Sequence, residues 1–275
     1  MIHAQRKTLS SYTSGLLSEG RVVFSADEAE QALGIGRGAF LDAAERLQRR
    51  RHLVRLRNGF YVVVPPRYAS WGAPPPGWYI DDLMRHEGRP YYVGLLKAAE
   101  LHGATHHAVM EFPVVTDKRL PGIHAGRTRI AFHYRKDMKA VSDGVENRKT
   151  DTGTMKVSSV ELTALDLVRY SHAAGGIDNL VTVLADLGPK IGSQELARLS
   201  SAAERSIVQR LGYLLDRLGH GNRTGMMYDA LSGRGAFPWV ELDRNETRDP
   251  EFTPPPLERD EHWRVIVRRP PEVDE

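Results

Sequence analysis

The segment Ser25–Val64, SADEAEQALGIGRGAFLDAAERLQRRRHLVRLRNGFYVVV, combines two helix patterns with two strand patterns. Ser25 and Glu28 have capping-box spacing, in which a serine and a glutamate three residues later satisfy backbone N–H groups at a helix start. They predict a first helix, which the turn Gly34-Ile35-Gly36 ends. A second helix is predicted from Arg37 to about Arg51.

The second helix has one apolar face and one polar face. Phe40, Ala44 and Leu47 recur at helical spacing, which predicts that they are buried. On the opposite face, small residues allow close approach to base edges, and arginine side chains can reach phosphates or guanine. This face is the predicted DNA-contacting surface and comprises Arg37, Ala39, Asp42, Ala43, Arg46, Arg49 and Arg50.

Two strand patterns follow and meet at Asn58-Gly59, a hairpin signal because a type I′ turn needs positive φ at both positions. Residues that pair across the turn share a face of the hairpin. The expected pairs are Arg57 with Phe60 and Arg55 with Val62 on a basic face, and Leu56 with Tyr61 and Val54 with Val63 on an apolar face.

With a short helix over about 9–17 and a short strand over 21–24, these elements have the order of a winged helix-turn-helix. In such a domain a helix enters the major groove, about 12 Å wide, while a basic hairpin reaches phosphates. We therefore expect the hairpin to contact DNA through Arg55, Arg57, Asn58 and Gly59.

Charge is unevenly distributed along the chain. Residues 1–70 contain eleven Arg or Lys and six acids, whereas residues 241–275 contain six Arg and eleven acids. The basic N-terminal part favours an anionic partner. An alternative remains open, because winged helices also bind proteins, Asp42 could pair with Arg46, and Arg49-Arg50-Arg51 could be a solvated helix end.

A mixed α/β domain is predicted after the winged helix. The predicted boundaries are 1–66 for the winged helix and 67–275 for the second domain, with a proline-rich linker over 67–77 and a loosely structured acidic extension over 220–275. The second domain should contain a small sheet and several helices. One helix is expected over 91–101, another after the capping-box sequence that begins at Ser158, and a late strand of the same sheet over 262–267. The expected fold class is α+β.

Several classes of protein are excluded. The 275 residues include no cysteine, so there are no disulfides, thiolate nucleophiles or zinc sites that use sulfur. No segment approaches the roughly 20 apolar residues of a spanning helix, and the N-terminus lacks an apolar run of the signal-peptide type. A cytoplasmic location without membrane contact is therefore expected.

Three features could be read as catalytic or ligand sites, but each has a simpler explanation. His102, His106 and His107 lack a nearby acid to complete a metal site, and Gly103 interrupts their helix. Asp166 can pair with Arg169 at i+3. Residues 34–38 lack the Lys-Ser/Thr of a phosphate loop. We therefore expect no catalytic residues, no metal and no cofactor.

The chain resembles the AbiEi family of antitoxins from bacterial type IV toxin–antitoxin systems over roughly residues 10–220. The resemblance rests on the winged helix with its Arg57-Asn58-Gly59-Phe60-Tyr61 wing, together with four segments of the second domain. These segments are YYVGLL (91–96) with AAELHG (98–103), PVVTDK (113–118) and VSSVELTALDLV (157–168).

The resemblance implies a repressor that binds inverted repeats in its own promoter and counteracts a nucleotidyltransferase-like toxin, directly or indirectly. Two copies would occupy the repeats, as a dimer or a cooperative pair. The family offers no catalytic residues to transfer. An alternative remains open in which the second domain is an enzyme acting on nucleotides or on the toxin.

Overall fold

The computed structural model describes residues 8–104, 111–243 and 253–272. These residues form an α+β fold, as the sequence predicts. They divide into two compact units. The first unit falls within Met1–Tyr92, Met110–Lys136 and Asn147–Lys156, and the second within Val93–Val109, Asp137–Glu146 and Val157–Glu275. Within the described ranges, no helix has the length and apolar character required to cross a membrane.

The first unit begins with a winged helix-turn-helix, which confirms this part of the predicted fold. Its elements in chain order are α1 (Leu9–Ser18), β1 (Val23–Ser25), α2 (Ala26–Leu33), α3 (Arg37–Arg49), β2 (Leu53–Arg57) and β3 (Phe60–Val63). The three strands form an antiparallel sheet in the order β1-β3-β2. The predicted hairpin pairs β2 with β3, and the short strand β1, which precedes α2, pairs with the other edge of β3.

Local interactions fix the two helices of the helix-turn-helix. The Ser25 hydroxyl accepts from the Glu28 amide, and the Glu28 carboxylate accepts from the Ser25 amide, so the predicted capping box forms. Gly34 ends α2 with φ of +62°, a left-handed conformation that glycine adopts without strain. Phe40 of α3 then packs edge-on against Tyr61 of β3, with ring centroids 5.3 Å apart. Burial of these rings holds α3 on the sheet.

The register of the hairpin differs from the predicted one. Arg57 pairs with Phe60 as expected, but a bulge leaves Leu56 out of the ladder, so Arg55 pairs with Tyr61 and Val54 with Val62. Only Gly59 has a positive φ in the turn, at +73°, so a type I′ turn does not form. Leu56 is buried while Arg55 is exposed, which shows that side-chain burial outweighs the regular two-residue turn.

A six-stranded sheet contributes most of its residues to the first unit. Its strands are β4 (Tyr91–Val93), β5 (Glu111–Thr116), β6 (Ile123–Ala125), β7 (Thr128–Tyr134), β8 (Val145–Thr150) and β9 (Gly153–Ser158). Their order in the sheet is β6-β7-β5-β4-β9-β8. A helix precedes it, α4 (Ile80–His86), which the sequence analysis did not predict. The single helix expected over 91–101 is wrong, because the aromatic and β-branched start of this segment forms β4.

The second unit is mainly helical. Its helices are α5 (Leu95–Leu101), α6 (Val160–Arg169), α7 (Ile177–Leu187), α8 (Ser193–Ser200), α9 (Arg205–Arg217) and α10 (Gly225–Ser232). The N-cap of α6 is Ser159 rather than Ser158, since the Ser159 hydroxyl accepts from the Leu162 amide. The Glu161 carboxylate instead accepts from the Gly192 amide at 2.8 Å. The predicted capping box is therefore replaced by a longer-range contact.

The C-terminal part carries more structure than the sequence suggests. It forms a separate three-stranded sheet in the order β10-β12-β11. Its strands are β10 (Val240–Glu241), β11 (Glu258–Asp260) and β12 (Val265–Val267). The expected late strand thus lies in this sheet and not in the larger one. Trp263 is fully buried beside it, so an acidic composition did not prevent the segment from forming a core.

Candidate nucleic-acid interface

Helix α3 presents the polar face that its sequence pattern predicts. Phe40, Ala44 and Leu47 are buried in the core of the winged helix. On the other side, six of the seven residues predicted for contact are exposed, namely Arg37, Ala39, Asp42, Arg46, Arg49 and Arg50. Ala43 is half-buried and packs against the core. Most of the proposed surface is therefore accessible from one side of α3.

Arg37 lies at the start of α3 and is held by acids of α2. Its guanidinium donates to the Glu30 carboxylate at 2.8 Å and lies 3.6 Å from Asp27. The hydrogen bond to Glu30 is the main reason that the pKa of Arg37 is raised. Arg37 is thus oriented by its own domain, and part of its charge is already neutralised.

The remaining arginines of α3 differ in their partners. Arg49 pairs with Glu45 at 2.6 Å, an i,i+4 pair. Arg46 and Arg50 make no ion pair with any residue that the structure describes. In particular, Asp42 and Arg46 do not pair, although their spacing would allow it. Arg46 and Arg50 therefore keep an uncompensated positive charge on the exposed face.

The basic face expected for the hairpin is divided by the fold. Arg57 donates to Glu87 at 2.6 Å and to the Pro121 carbonyl at 2.7 Å, and its guanidinium lies 5.6 Å from the centre of the Phe132 ring. Its side chain is 20% exposed and that of Glu87 is 18% exposed. Arg57 is therefore occupied within the first unit.

The turn of the hairpin also contacts α4. The His86 Nε2–H donates to the Asn58 carbonyl at 3.0 Å, and the His86 ring packs against Phe60 with centroids 5.3 Å apart. Gly59 lies beside the same imidazole, 3.9 Å from the position that a Cβ would take. These contacts hold the tip of the hairpin against α4.

Arg55 has the opposite environment. It is exposed, and its guanidinium donates to the Asn58 side-chain oxygen at 2.6 Å. Within the described ranges, no carboxylate pairs with it. Of the two wing arginines that the sequence singles out, Arg55 is the one whose charge faces outward without compensation.

Two further arginines lie close to this surface: Arg51, which the sequence places at the end of the predicted second helix, and Arg127, to which it assigns no role. Arg51 follows α3 with φ of +58°, and Arg127 lies in the turn between β6 and β7. Both line a groove that Arg55 also lines. Arg127 is 72 positions from Arg55 in the chain, so no local pattern could have linked them.

The other candidate sites have structural explanations. His102 hydrogen bonds to the Ser158 carbonyl at 2.8 Å, whereas His106 and His107 lie outside the described residues. Asp166 is fully buried, 3.9 Å from Arg169. Residues 34–36 are the turn between α2 and α3, and residues 37–38 begin α3. Among the described residues, no group of three potential ligands is placed to hold a metal ion.

The chain thus combines a winged helix that has an exposed basic face with a mixed α/β part that follows it. Residues 92–217 match the family model described as the AbiEi antitoxin C-terminal domain. The resemblance found in the sequence is thereby confirmed, and this domain supports an antitoxin role in a type IV toxin–antitoxin system. Proteins of the AbiEi antitoxin family are in general not enzymes.

The fold also has a solved counterpart. The crystal structure of the RV2827C protein from Mycobacterium tuberculosis matches with a TM-score of 0.66 and 21% sequence identity. The match covers 96% of this chain and 93% of that one. At this identity the likeness establishes a common fold. A comparison with curated proteins gives no match.

Proposed function

We propose that this protein is a DNA-binding autorepressor and the antitoxin of a type IV toxin–antitoxin system. The winged helix binds inverted repeats in the promoter of its own operon. The AbiEi domain counteracts a nucleotidyltransferase-like toxin, by direct contact or indirectly. The chain itself performs no chemistry, acts in the cytoplasm and uses no cofactor.

The observation that carries the DNA-binding proposal is the set of uncompensated arginines on one domain. Arg46 and Arg50 of α3 and Arg55 of β2 are exposed and have no carboxylate partner in the described part of the chain. A structural role usually pairs such side chains with acids, as Arg57 pairs with Glu87. Free guanidinium groups beside a helix with small residues near its start suit phosphates and base edges.

The proposed contacts divide by role. The residues proposed to read base edges in the major groove are Arg37, Ala39, Asp42 and Ala43 in the first two turns of α3 and Arg46 in its last turn. Arg49, Arg50 and the wing residues contact phosphates, which provide affinity without sequence preference. Of the wing, Arg55, Asn58 and Gly59 remain proposed contacts. Arg57 supports the wing through Glu87 instead. Occupation of both repeats requires two copies, as a dimer or a cooperative pair.

The test is a mobility-shift assay with the DNA upstream of the gene and a scrambled duplex, each at low and near-physiological salt. The wild-type protein should prefer its own upstream DNA at the higher salt. Arg46→Ala should reduce that preference, because it removes a base contact worth about 1–3 kcal/mol. Arg85→Ala is a matched control, since this exposed arginine of α4 already pairs with Asp81 and Asp82. Equal binding of both duplexes would contradict the proposal.

A second experiment separates the two proposed roles. The chain is co-expressed with the toxin encoded in the same operon, and growth is measured together with a promoter reporter. Arg46→Ala should relieve repression of the reporter and still protect growth, because the antitoxin role is assigned to the other domain. Loss of protection in a folded Arg46→Ala variant would contradict this division of roles.

A further inference from the structure

We propose that the groove beside the wing binds the sugar-phosphate backbone of duplex DNA that flanks the half-site read by α3. This proposal rests on the proposed DNA-binding function and adds to it a contact surface outside the winged helix. The groove has a volume of about 550 Å³ and lies wholly within the first unit. It is lined by the end of α3, by β2, by the loop around Trp71 and by the turn at Gly126-Arg127.

The charge of the groove fits an extended anion. Its lining includes Arg51, Arg55 and Arg127, and no aspartate or glutamate is among the described residues that line it. None of the three arginines forms an ion pair with a described residue. Nearby arginines do have partners, since Arg129 lies 3.1 Å from Glu111. Three cations without counter-charges attract a polyanion, and the attraction depends on salt.

The position of the groove makes it continuous with the proposed DNA-contacting surface. Arg51 directly follows the last turn of α3, where Arg50 is exposed. Arg55 belongs to β2, the edge strand of the wing sheet. A DNA duplex that contacts both α3 and the wing therefore has its backbone beside this groove.

The wall of the groove is built by close backbone contact. The Arg127 amide donates to the Trp71 carbonyl at 3.0 Å. Gly126 has φ of +60°, and a Cβ there would lie 2.0 Å from the same carbonyl oxygen. Gly72, with φ of +82°, faces Gly126 in the same manner. A side chain at Gly126 would prevent this approach, so the glycine allows the backbone beside Arg127 to pack against that of Trp71.

The aromatic residue of the groove supports a phosphate contact over base stacking. Trp71 is 52% exposed, which is unusual for a large apolar side chain. The Arg127 guanidinium lies over the indole, 5.6 Å from its centre. A base would have to compete with this cation for that ring face. The indole thus orients the guanidinium, whose N–H groups remain available for phosphate oxygens.

The test compares Arg127→Ala and Arg127→Gln with Arg129→Ala, a matched exposed arginine on the adjacent strand that is already paired. Binding is measured by fluorescence anisotropy on the upstream duplex at several salt concentrations. Both Arg127 variants should bind about three- to tenfold more weakly and lower the slope of log K against log salt by about 1. The ratio of operator to scrambled affinity should stay unchanged, and Arg129→Ala should match the wild type.

Shortening the duplex on its flanks provides the second arm. The wild type should bind the shortened duplex more weakly than the long one. Arg127→Ala should bind the two duplexes with nearly the same affinity, because its contact with the flanking backbone is already lost. If the wild type fails to bind the upstream duplex at all, the proposed function fails. If the wild type binds and the Arg127 variants bind equally well, only the groove assignment is overturned. Loss of growth protection with unchanged DNA binding would also overturn it, because the groove would then bind an acidic protein.

Discussion

The indole Nε1–H of Trp263 donates a hydrogen bond of 2.7 Å to Oδ2 of Asp216, across 47 positions of the chain. The other carboxylate oxygen of Asp216 accepts from the Thr224 hydroxyl, also at 2.7 Å. Asp216 thus joins α9 to the start of α10 and to the last sheet of the second unit. A buried aromatic side chain thus anchors the acidic C-terminal part.

Replacement of Trp263 with phenylalanine should lower the free energy of unfolding by about 2–3 kcal/mol, because the donor to Asp216 is lost and the smaller ring leaves a cavity. Trp239→Phe is the matched control, since Trp239 is half-exposed. It should cost less than about 1 kcal/mol. Urea denaturation measures both, and an equal loss in the two variants would contradict this account of the anchor.

Gly212→Ala should destabilise the protein by about 1–3 kcal/mol. A Cβ at Gly212 would lie 2.4 Å from two ring carbons of Trp263, and neither the helix nor the buried ring can move away without loss of packing. Gly225→Ala serves as the control in a thermal melt. Gly225 begins α10, is exposed and has open space around it. A neutral result at Gly212 would show that this side of α9 is loosely packed.

The pair Arg57–Glu87 should show energetic coupling of about 1–2 kcal/mol in a double-mutant cycle, because both side chains are mostly buried and 2.6 Å apart. Arg57→Ala should therefore reduce stability and leave the salt slope of DNA binding close to the wild-type value. Arg55→Ala should reverse the pattern, lowering the slope by about 1 at unchanged stability. Equal salt slopes for the two variants would contradict the assignment of Arg57 to stability and of Arg55 to DNA contact.

Asp178 should make stability depend on pH. Hydrogen bonds from Arg269, and then from the Glu272 amide, lower the pKa of this carboxyl in the folded protein. A lowered pKa stabilises the fold above the unfolded-state value, and the contribution disappears as the pH falls through the folded-state value. Asp178→Asn should thus be less stable at pH 7 by under about 1 kcal/mol, since both side chains are about 40% exposed.

As the pH falls through the lowered folded-state pKa of Asp178, the difference between Asp178→Asn and the wild type should shrink, because the protonated carboxyl is then uncharged like the amide. Asp229→Asn, at an exposed position of α10 where no ion pair forms with a described residue, controls for the loss of one carboxylate. Thermal melts at several pH values measure the effect. A constant difference across the whole pH range would show that the Asp178 charge is not its source.

Local signals in the winged helix made most of it predictable. The capping box at Ser25, the glycine that ends α2 and the spacing of Phe40, Ala44 and Leu47 each act within a few residues. Local signals of this kind did not predict the structure where the deciding contact joins residues that are far apart in the chain. The N-cap of α6 is Ser159 and not Ser158, and Glu161, expected to complete the capping box, accepts instead from Gly192, 31 positions away. The Trp263 anchor had no local signal, since its partner lies on α9.

The sequence by itself therefore determined the winged helix, the α+β class and the face of α3 that carries free charge. The tertiary structure decided which arginines remain available for an anion. The hairpin pattern does not distinguish Arg55 from Arg57, but in the fold Glu87 pairs with Arg57 and leaves Arg55 free of a carboxylate among the described residues. Arg127 lies in the same groove as Arg55 because Gly72 and Gly126 allow two distant loops to pack closely. Helix and turn preferences act along the chain over one or two turns. Coulombic pairing acts through space, so it is set by which segments the fold brings within a few ångströms.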